Sequence, residues 1–337
     1  MDMNVPRELL APANSGNQSS SHSTEYFFSE QLSAFYEKEQ HAMWLRWNPS
    51  PRPNFNPALL GDLDRYCQFL AHTRGEVDCN SSEYPTGKAP LEYAILASRV
   101  PGVFNLGGDL SLFTRLIEAH DREGLLGYGR ACVDVLYRNY CGHGLPITTI
   151  SLIQGECLGG GFEAALSSDV LVAERQSRFG FPEILFNLFP GMGAYSFLER
   201  KIGKRAAEEL ITSGKLYTAD AMLAMGVVDL VVDEGRGESE VAGFIKSRSR
   251  NRNGMAGIAS ARRRVHKLDY EELVGVVEVW VDTAMSLRSR DLKLMQRLVT
   301  RQNELPRQNA AEAVPVHIEP AHIESMRSEC GAAMQLH

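Results

Sequence analysis

The sequence lacks the patterns that mark several large classes of protein. Its six cysteines are scattered over 337 residues without a C-x-x-C pair, so it predicts neither a zinc site nor a disulfide framework. Neither a Walker A nor a G-x-S-x-G sequence occurs, so there is no signal for nucleotide-phosphate binding or for a serine-hydrolase nucleophile. We expect no metal, because ligand-like spacing is missing among the histidines His72, His120, His143 and His266. We also expect no cofactor.

Basic charge and long apolar runs are also scarce. The chain has 42 acidic residues against 35 basic ones, a formal net charge of −7, so it lacks the positive excess that nucleic-acid-binding proteins carry. No run reaches the roughly 18 uninterrupted apolar residues that a membrane span needs. The first residues contain no basic leader followed by an apolar core. We therefore expect no nucleic-acid partner, no membrane insertion and a cytoplasmic location.

Short apolar segments alternate with helical ones along most of the chain. The β-compatible runs lie at 31–36, 42–47, 92–100, 148–155 and 169–173. Between them are segments with helical spacing, and Asn56 is predicted to cap a helix that runs through Leu70. Residues 75–90 are predicted to form a polar loop. Strands that alternate with helices predict an α/β fold with a substantially parallel sheet.

The composition divides the chain into four predicted parts. Residues 1–24 are rich in Ser, Asn and Pro and are predicted to be a disordered tail. Residues 25–235 form the predicted α/β core. Residues 236–301 are predicted to be a helical region with an apolar face, which we expect to serve in oligomerisation, and residues 302–337 a loosely ordered tail.

The stretch GECLGGGFEAAL joins a predicted strand to a predicted helix, with Glu163 just inside the helix. Its triplet consists of Gly159, Gly160 and Gly161. Glycine lets a ligand approach the backbone because it has no Cβ. The first N–H groups of a helix have no intrahelical partner, so this joint is suited to an oxygen that is negative or becomes so. Taken alone, the stretch is explained equally well as a tight joint without a ligand.

Two further stretches add a second glycine-rich strand end and a second acid. In VFNLGGDL, Leu106 precedes Gly107 and Gly108 between a strand and a helix, and an Asp-capped turn is the alternative interpretation. In RFGFPEILFNLFPGMGAY, Glu183 lies 20 residues after Glu163, and an ordinary acid at a helix start is the alternative. Two such strand ends with two embedded acids are far less expected by chance than one, and they favour a functional site.

Together these stretches resemble the crotonase (enoyl-CoA hydratase/isomerase) superfamily over roughly residues 30–300. The resemblance implies an α/β fold built as a ββα superhelix, or spiral, with a C-terminal helical region. It implies that the backbone N–H groups of Leu106 and Gly160 form an oxyanion hole for the thioester oxygen of an acyl substrate. It also implies Glu163 and Glu183 as the catalytic residues, and a homotrimer or homohexamer.

Three phrases are more similar to the diffusible-signal-factor synthase branch of that superfamily than to ordinary hydratases: NLGGDLSLF, GAYSFL and WVDTAMSL. This likeness implies a dehydratase and thioesterase that takes a 3-hydroxyacyl chain on acyl carrier protein or CoA and releases a cis-2-unsaturated fatty acid as a quorum-sensing signal. It implies Glu183 as base, Glu163 as acid, and a sensor kinase as a partner. An enoyl-CoA hydratase or isomerase and a catalytically idle acyl-binding regulatory partner stay open as alternatives.

A surround of apolar and glycine residues is expected to bind the acyl chain, with core packing the alternative for each. The predicted substrate-binding residues are Gly107, Gly108, Gly159, Gly161, Phe181, Leu185, Phe189, Gly191, Met192, Gly193 and Trp280. For Trp280, packing in the core or at a subunit interface is favoured over the pocket. The arginines at 248, 250, 252 and 262–264 predict either a solvated helix face or a surface for a phosphate or an acidic carrier protein.

Overall fold

A computed structural model of the chain describes residues 23–79 and 83–304. Within these residues the strands are β1 (Ser23–Ser29), β2 (Leu32–Glu37), β3 (Ala42–Trp47), β4 (Glu76–Asp78), β5 (Lys88–Pro90), β6 (Tyr93–Ser98), β7 (Val103–Asn105), β8 (Thr148–Ile153), β9 (Glu156–Leu158), β10 (Val170–Glu174), β11 (Arg178–Gly180), β12 (Tyr217–Thr218) and β13 (Leu230–Val232). The helices are α1 (Pro57–Thr73), α2 (Leu110–Glu118), α3 (Arg122–Tyr140), α4 (Gly160–Leu166), α5 (Ala194–Ile202), α6 (Lys204–Ser213), α7 (Ala219–Ala224), α8 (Gly237–Arg248), α9 (Arg252–Val265), α10 (Tyr270–Met285) and α11 (Ser289–Glu304). The two predicted tails lie almost entirely outside the described residues, and the domain boundaries stay predictions.

The larger sheet is mixed, with a parallel centre. Its order is β1-β2-β3-β6-β8-β10-β13, in which β1, β2 and β3 are antiparallel and the pairs from β3 to β13 are parallel. Ile150, Leu152 and Val172 on its central strands are completely buried. Parallel strands covered on both faces are continuous apolar runs in sequence, which is why these strands could be predicted.

A second, smaller sheet has the order β12-β11-β9-β7 and turns the chain into a spiral. The strands β6, β8 and β10 of the larger sheet are followed by β7, β9 and β11 of the smaller one, and then by helical structure. A strand–strand–helix unit therefore repeats three times. The predicted ββα superhelix is confirmed.

This repeat brings the two glycine-rich segments together. The strands β7 and β9 are parallel neighbours, so the segments that follow them leave the same edge of the small sheet. A Cβ on Gly107 would lie 2.9 Å from the Gly160 nitrogen, and Gly107 has φ +97°. Only glycine fits this approach without strain.

The first predicted helix begins at its predicted cap. Asn56 caps α1, with its Oδ1 accepting from the Leu59 N–H at 2.9 Å. Beyond residue 235 the chain is helical, as predicted, in the four helices α8 to α11. Helix α10 packs against α3, and α11 packs against α2.

None of the helices in the described ranges is long and apolar enough to cross a bilayer.

The shortest strands were not predicted. The segment 75–90, predicted as a loop, contains the antiparallel pair β4 and β5, so that prediction is wrong in part. The strands β7, β9 and β11 each have three residues. Three residues are too few for an alternating pattern to stand out. The strand β1 was missed for another reason, because it begins within the segment assigned to the tail.

Candidate active site

Glu163 lies in the first turn of α4, in the interior of the protein. It is 1% exposed, and its Oε1 accepts hydrogen bonds from the Met192 N–H at 2.8 Å and the Ala194 N–H at 3.0 Å. Burial raises the pKa of Glu163 to about 7, against the lowering effect of these two donors. The carboxyl group therefore gains and loses its proton near neutral pH.

Glu183 lies in a 3-10 turn at Pro182–Phe186. Its Oε2 is buried and has no hydrogen-bond partner within the described residues. Its Oε1 occupies the space next to Gly159, where a Cβ would lie 2.5 Å from it. Burial, and then the charge of Glu163, raise the pKa of Glu183 to about 8. The two carboxyl groups are thus close enough to influence each other's ionisation.

Two backbone N–H groups beside these carboxyls have no acceptor in the described part of the chain. They belong to Gly108 and Gly160, and both residues line the same pocket as Glu163 and Glu183. A Cβ on Gly160 would lie 3.4 Å from the Gly108 nitrogen, so the two segments are in direct contact. Gly160 is the first residue of α4, where an N–H has no intrahelical acceptor.

The predicted oxyanion-hole role of Leu106 is wrong on this geometry. The Leu106 N–H donates to the Pro53 carbonyl at 2.8 Å, and Leu106 does not line the pocket. The next N–H, that of Gly107, donates to Asn105 Oδ1 at 2.8 Å. The amide of this segment that has no acceptor is that of Gly108, so Gly108 replaces Leu106 as the candidate donor.

The carboxyls and these two glycines lie at one apolar pocket, which has about 580 Å³ of empty space, part of it open to solvent. Phe186 and Leu188, which follow Glu183 in the chain, line the pocket as the apolar sequence there predicts. The rest of the wall was not predicted from the sequence: Phe55, Leu60, Leu110, Phe113, Tyr128, Cys132, Val135, Leu136 and Pro190. Most of the unpredicted residues lie on α1, α2 and α3, which the fold brings to one pocket. An apolar pocket with a few convergent polar groups is suited to a long apolar ligand with one polar, reacting end.

Four of the predicted binding residues line this pocket, namely Gly108, Gly191, Met192 and Trp280. The indole of Trp280 packs edge-on against Phe113, with ring centroids 5.2 Å apart. It also packs against Gly191, where any Cβ would clash with it. Trp280 is therefore both core and pocket wall.

The other predicted binding residues lie behind the wall or away from it. Gly107, Gly159 and Gly161 form the contact between segments, and Gly193 is the N-cap residue that precedes α5. Phe181 stacks on Phe162 in the core, with centroids 4.9 Å apart. Neither Leu185 nor Phe189 lines the pocket. Leu185 instead packs against Gly214, so the predicted pocket role is wrong for these three apolar side chains.

The basic region serves in part to pair with the protein's own acids. Arg262 and Arg263 contact Asp169 at 3.2 and 2.7 Å, and Arg252 contacts Glu92 at 3.2 Å. These arginines are therefore not simply a solvated face. No cluster of His, Cys, Asp and Glu that could hold a metal ion occurs within the described ranges.

Residues 87–250 match the family model described as enoyl-CoA hydratase/isomerase. The matched range contains both glycine-rich segments, Glu163 and Glu183. The match covers slightly less than half of the chain and agrees with the ββα spiral described above.

Solved structures show the same fold at low sequence identity. DspI of Pseudomonas aeruginosa is 21% identical with a TM-score of 0.57, over 72% of this chain and 91% of that one. The enoyl-CoA hydratase of Bacillus halodurans is 19% identical with a TM-score of 0.64, over 80% and 100%. Human mitochondrial delta3-delta2-enoyl-CoA isomerase is 21% identical with a TM-score of 0.63, over 82% and 99%. The chain has the crotonase fold.

Proposed function

We propose that the protein is a dehydratase and thioesterase. It takes a 3-hydroxyacyl chain carried as a thioester on acyl carrier protein and releases a free cis-2-unsaturated fatty acid of the diffusible-signal type. One observation carries the proposal: two carboxyl groups with raised pKa values and two backbone N–H groups without acceptors meet at one apolar pocket.

The first step is loss of a proton from the carbon next to the thioester carbonyl. That proton is weakly acidic, so the step needs stabilisation of the enolate oxygen as it forms. The N–H groups of Gly108 and Gly160 are the donors proposed for this oxygen. Removing one such donor commonly lowers a rate about 10²- to 10³-fold.

The two glutamates divide the proton work. One carboxylate takes the α-proton, and the other carboxyl, protonated, gives its proton to the 3-hydroxyl group, which leaves as water. With pKa values of about 7 and 8, the pair supplies a base and an acid together near neutral pH.

The order of roles is a separate prediction. Family resemblance assigns Glu183 as base and Glu163 as acid, whereas the two amide donors on Glu163 favour its ionised form in the free protein and support the opposite order. Deuterium exchange at C2 of the substrate distinguishes the two. If Glu183 is the base, Glu183→Gln abolishes exchange, while Glu163→Gln keeps exchange and loses dehydration; the reverse result assigns the reverse roles.

Thioester cleavage uses the same groups. A glutamate carboxylate takes a proton from water, the resulting hydroxide adds to the thioester carbon, and the Gly108 and Gly160 N–H groups bind the tetrahedral oxyanion. Collapse of that intermediate breaks the carbon–sulfur bond. The carrier thiolate takes up the proton and leaves, and the free acid remains in the apolar pocket.

An enoyl-CoA hydratase or isomerase is the second candidate, favoured by the family model that matches residues 87–250. Mass spectrometry of the products from 3-hydroxydodecanoyl-acyl carrier protein separates the two. Free cis-2-dodecenoic acid supports the proposal. A trans-2 product that stays bound as a thioester contradicts it and supports the hydratase, and the CoA thioester run in parallel reports the preferred carrier.

The same resemblance extends the proposal to the assembly and surroundings of the enzyme. We expect a homotrimer or homohexamer, a cytoplasmic location and a sensor kinase as a binding partner. Sedimentation velocity of the full chain tests the assembly. A monomer at micromolar concentration would contradict it.

A further inference from the structure

The candidate donor at Gly108 belongs to a peptide unit that its own residues restrain little. The unit joins Gly107 to Gly108, and glycine on both sides leaves its rotation with little steric hindrance. Gly107 has φ +97°. A trans peptide is planar, so its carbonyl and its N–H point in opposite directions. The direction of the Gly108 N–H is therefore fixed when a neighbour holds the Gly107 carbonyl.

The segment that precedes α1 holds this carbonyl. The Phe55 N–H donates to the Gly107 carbonyl at 2.8 Å. Phe55 and Gly108 form an isolated parallel β-bridge outside the strands of both sheets. A second contact joins the same two segments, since the Leu106 N–H donates to the Pro53 carbonyl at 2.8 Å. The direction of the Gly108 N–H thus depends on the position of Phe55.

Tyr128, on α3, holds Phe55 in turn. Its hydroxyl donates to the Phe55 carbonyl at 2.7 Å and accepts from the Asp109 N–H at 3.4 Å. Tyr128 is 7% exposed, and its ring packs edge-on against Phe113, with ring centroids 4.9 Å apart. A Cβ on Gly108 would lie 3.5 Å from the hydroxyl oxygen. The hydroxyl therefore joins the two segments directly beside the candidate donor.

The other candidate donor, the Gly160 N–H, is fixed in a different way. Its peptide unit also lies between two glycines. The carbonyl of that unit belongs to Gly159 and accepts from the Phe162 and Glu163 N–H groups at 2.9 and 3.0 Å. Helix α4 itself therefore sets the direction of the Gly160 N–H, whereas the Gly108 N–H relies on residues from elsewhere in the chain.

We propose that Tyr128 is a positioning residue of the oxyanion hole. Through Phe55 it fixes the plane of the peptide between Gly107 and Gly108, and so the direction in which the Gly108 N–H meets the thioester oxygen. The hydroxyl has one proton, which it gives to the Phe55 carbonyl, so it acts on the substrate through that residue. This inference rests on the proposed function, which places the thioester carbonyl at the two amides.

Tyr128→Phe keeps the ring and removes the hydroxyl. We expect kcat for the 3-hydroxydodecanoyl thioester to fall about tenfold, less than for loss of a whole donor, because the peptide unit then turns away part of the time. KM should stay within about twofold, since the donor acts mainly on the oxygen as its charge develops. A purely structural role would leave kcat per folded molecule unchanged.

Tyr36→Phe is the matched control. The Tyr36 hydroxyl donates to the Pro90 carbonyl at 2.6 Å, the residue is completely buried, and it does not line the pocket. Each variant loses one tyrosine hydrogen bond to a backbone carbonyl, so we expect similar losses of stability. Only Tyr128→Phe should lower kcat. Equal kcat values in the two folded variants overturn the proposal.

Infrared spectroscopy of a bound carbonyl tests the inference without turnover. The probe is a ketone analogue of the dodecanoyl thioester, with a CH2 group in place of the sulfur and an isotopically labelled carbonyl, prepared on acyl carrier protein and on CoA. Hydrogen bonds to a carbonyl oxygen lower its stretching frequency. We expect a lowered band in the wild-type protein and in Tyr36→Phe. Tyr128→Phe should lose about half of that shift, because one of the two donors is misdirected.

A second variant keeps the test decisive if Tyr128→Phe does not fold. 4-Aminophenylalanine at position 128 retains a donor toward the Phe55 carbonyl and should retain the wild-type band. Loss of the shift in this folded variant overturns the proposal. A band that is not lowered in the wild-type protein with either carrier also overturns it, because the two amides then do not bind the carbonyl.

The infrared assay and the product assay fail separately. If the band depends on Tyr128 but no free cis-2-enoic acid is formed, the proposed reaction is wrong and the positioning role stands. If free cis-2-enoic acid is formed but Tyr128→Phe has the wild-type band and kcat, the reaction stands and the positioning role is wrong.

Discussion

Two groups of buried acids in this protein have opposite surroundings. The side chain of Asp169 is 6% exposed and contacts two arginines, Arg263 at 2.7 Å and Arg262 at 3.2 Å. Its Oδ2 also accepts from the Thr149 N–H at 3.0 Å. The carboxylate is therefore held by charge and by hydrogen bonds on several sides.

The two glutamates are also buried, but they differ from Asp169 in their partners. Glu163 accepts from two backbone amides on one oxygen, and Glu183 has a buried oxygen with no partner. No salt bridge to either residue occurs in the part of the chain that the structure describes. The comparison teaches that burial alone does not fix an acid's role; the charge and donors around it do. The surroundings of the glutamate pair suit it to exchange a proton.

The largest expected effect is on the glutamate pair. Glu163→Gln and Glu183→Gln should each lower the rate of dehydration by about 10³-fold, because each removes a group that takes or gives a proton. Mass spectrometry of product formation from 3-hydroxydodecanoyl-acyl carrier protein measures the rate, and circular dichroism checks the fold. Near-normal turnover in both folded variants would reject the assignment of this pair.

Asp169 should behave in the opposite way. Asp169→Asn should lower the free energy of unfolding by about 3 kcal/mol, because it leaves two arginines without their buried partner, while turnover per folded molecule is kept. Urea denaturation measures this. The control is Asp220→Asn, which breaks an exposed pair with Arg175 and should cost less than about 1 kcal/mol. Equal losses in the two variants would contradict the distinction.

The oxyanion-hole donor can be removed with a closely matched control. Gly160→Pro deletes the N–H at the first position of α4, where proline is tolerated, and should lower turnover about 10²-fold. Gly160→Ala keeps the N–H, and its Cβ would meet only contacts of 3.4 Å or more. Steady-state rates should therefore fall strongly for proline and little for alanine; equal rates would exclude this amide from the reaction.

The smallest expected effect is on stability as a function of pH. The ordinary pKa of a glutamate here is 4.5, and folding raises the values of the pair to about 7 and 8. Because ionisation of these carboxyls opposes folding, the protonated pair stabilises the folded protein. This stabilisation is fully present below about pH 4.5 and is lost as the pH rises through about 8. Glu183→Gln should melt about 3 °C above the wild type at high pH and at the same temperature at low pH. A constant difference at all pH values would contradict this linkage.

Much of the fold could be predicted from local signals. The helix cap at Asn56 and the apolar parallel strands could be predicted from neighbouring residues alone. The spacing of Glu163 and Glu183 predicted the position of the site. The donor beside them could not be predicted, because Leu106 is removed from that role by Pro53, which lies far from it in sequence. The carbonyl group that accepts from a given backbone N–H depends on tertiary contacts and not on the local sequence motif.

The pocket wall was the hardest part to predict. The 3-10 turn has three residues per turn rather than 3.6, so Glu183 and Phe186 line the pocket while Leu185 packs against Gly214.

The most direct test is the titration of the two glutamates themselves, followed by carbon NMR of labelled side-chain carboxyls. We predict two carboxyl signals that titrate near pH 7 to 8, and we predict that the midpoint of Glu183 falls in Glu163→Gln because the neighbouring charge is gone. Two midpoints in the ordinary range of glutamate, unchanged by that substitution, would contradict it.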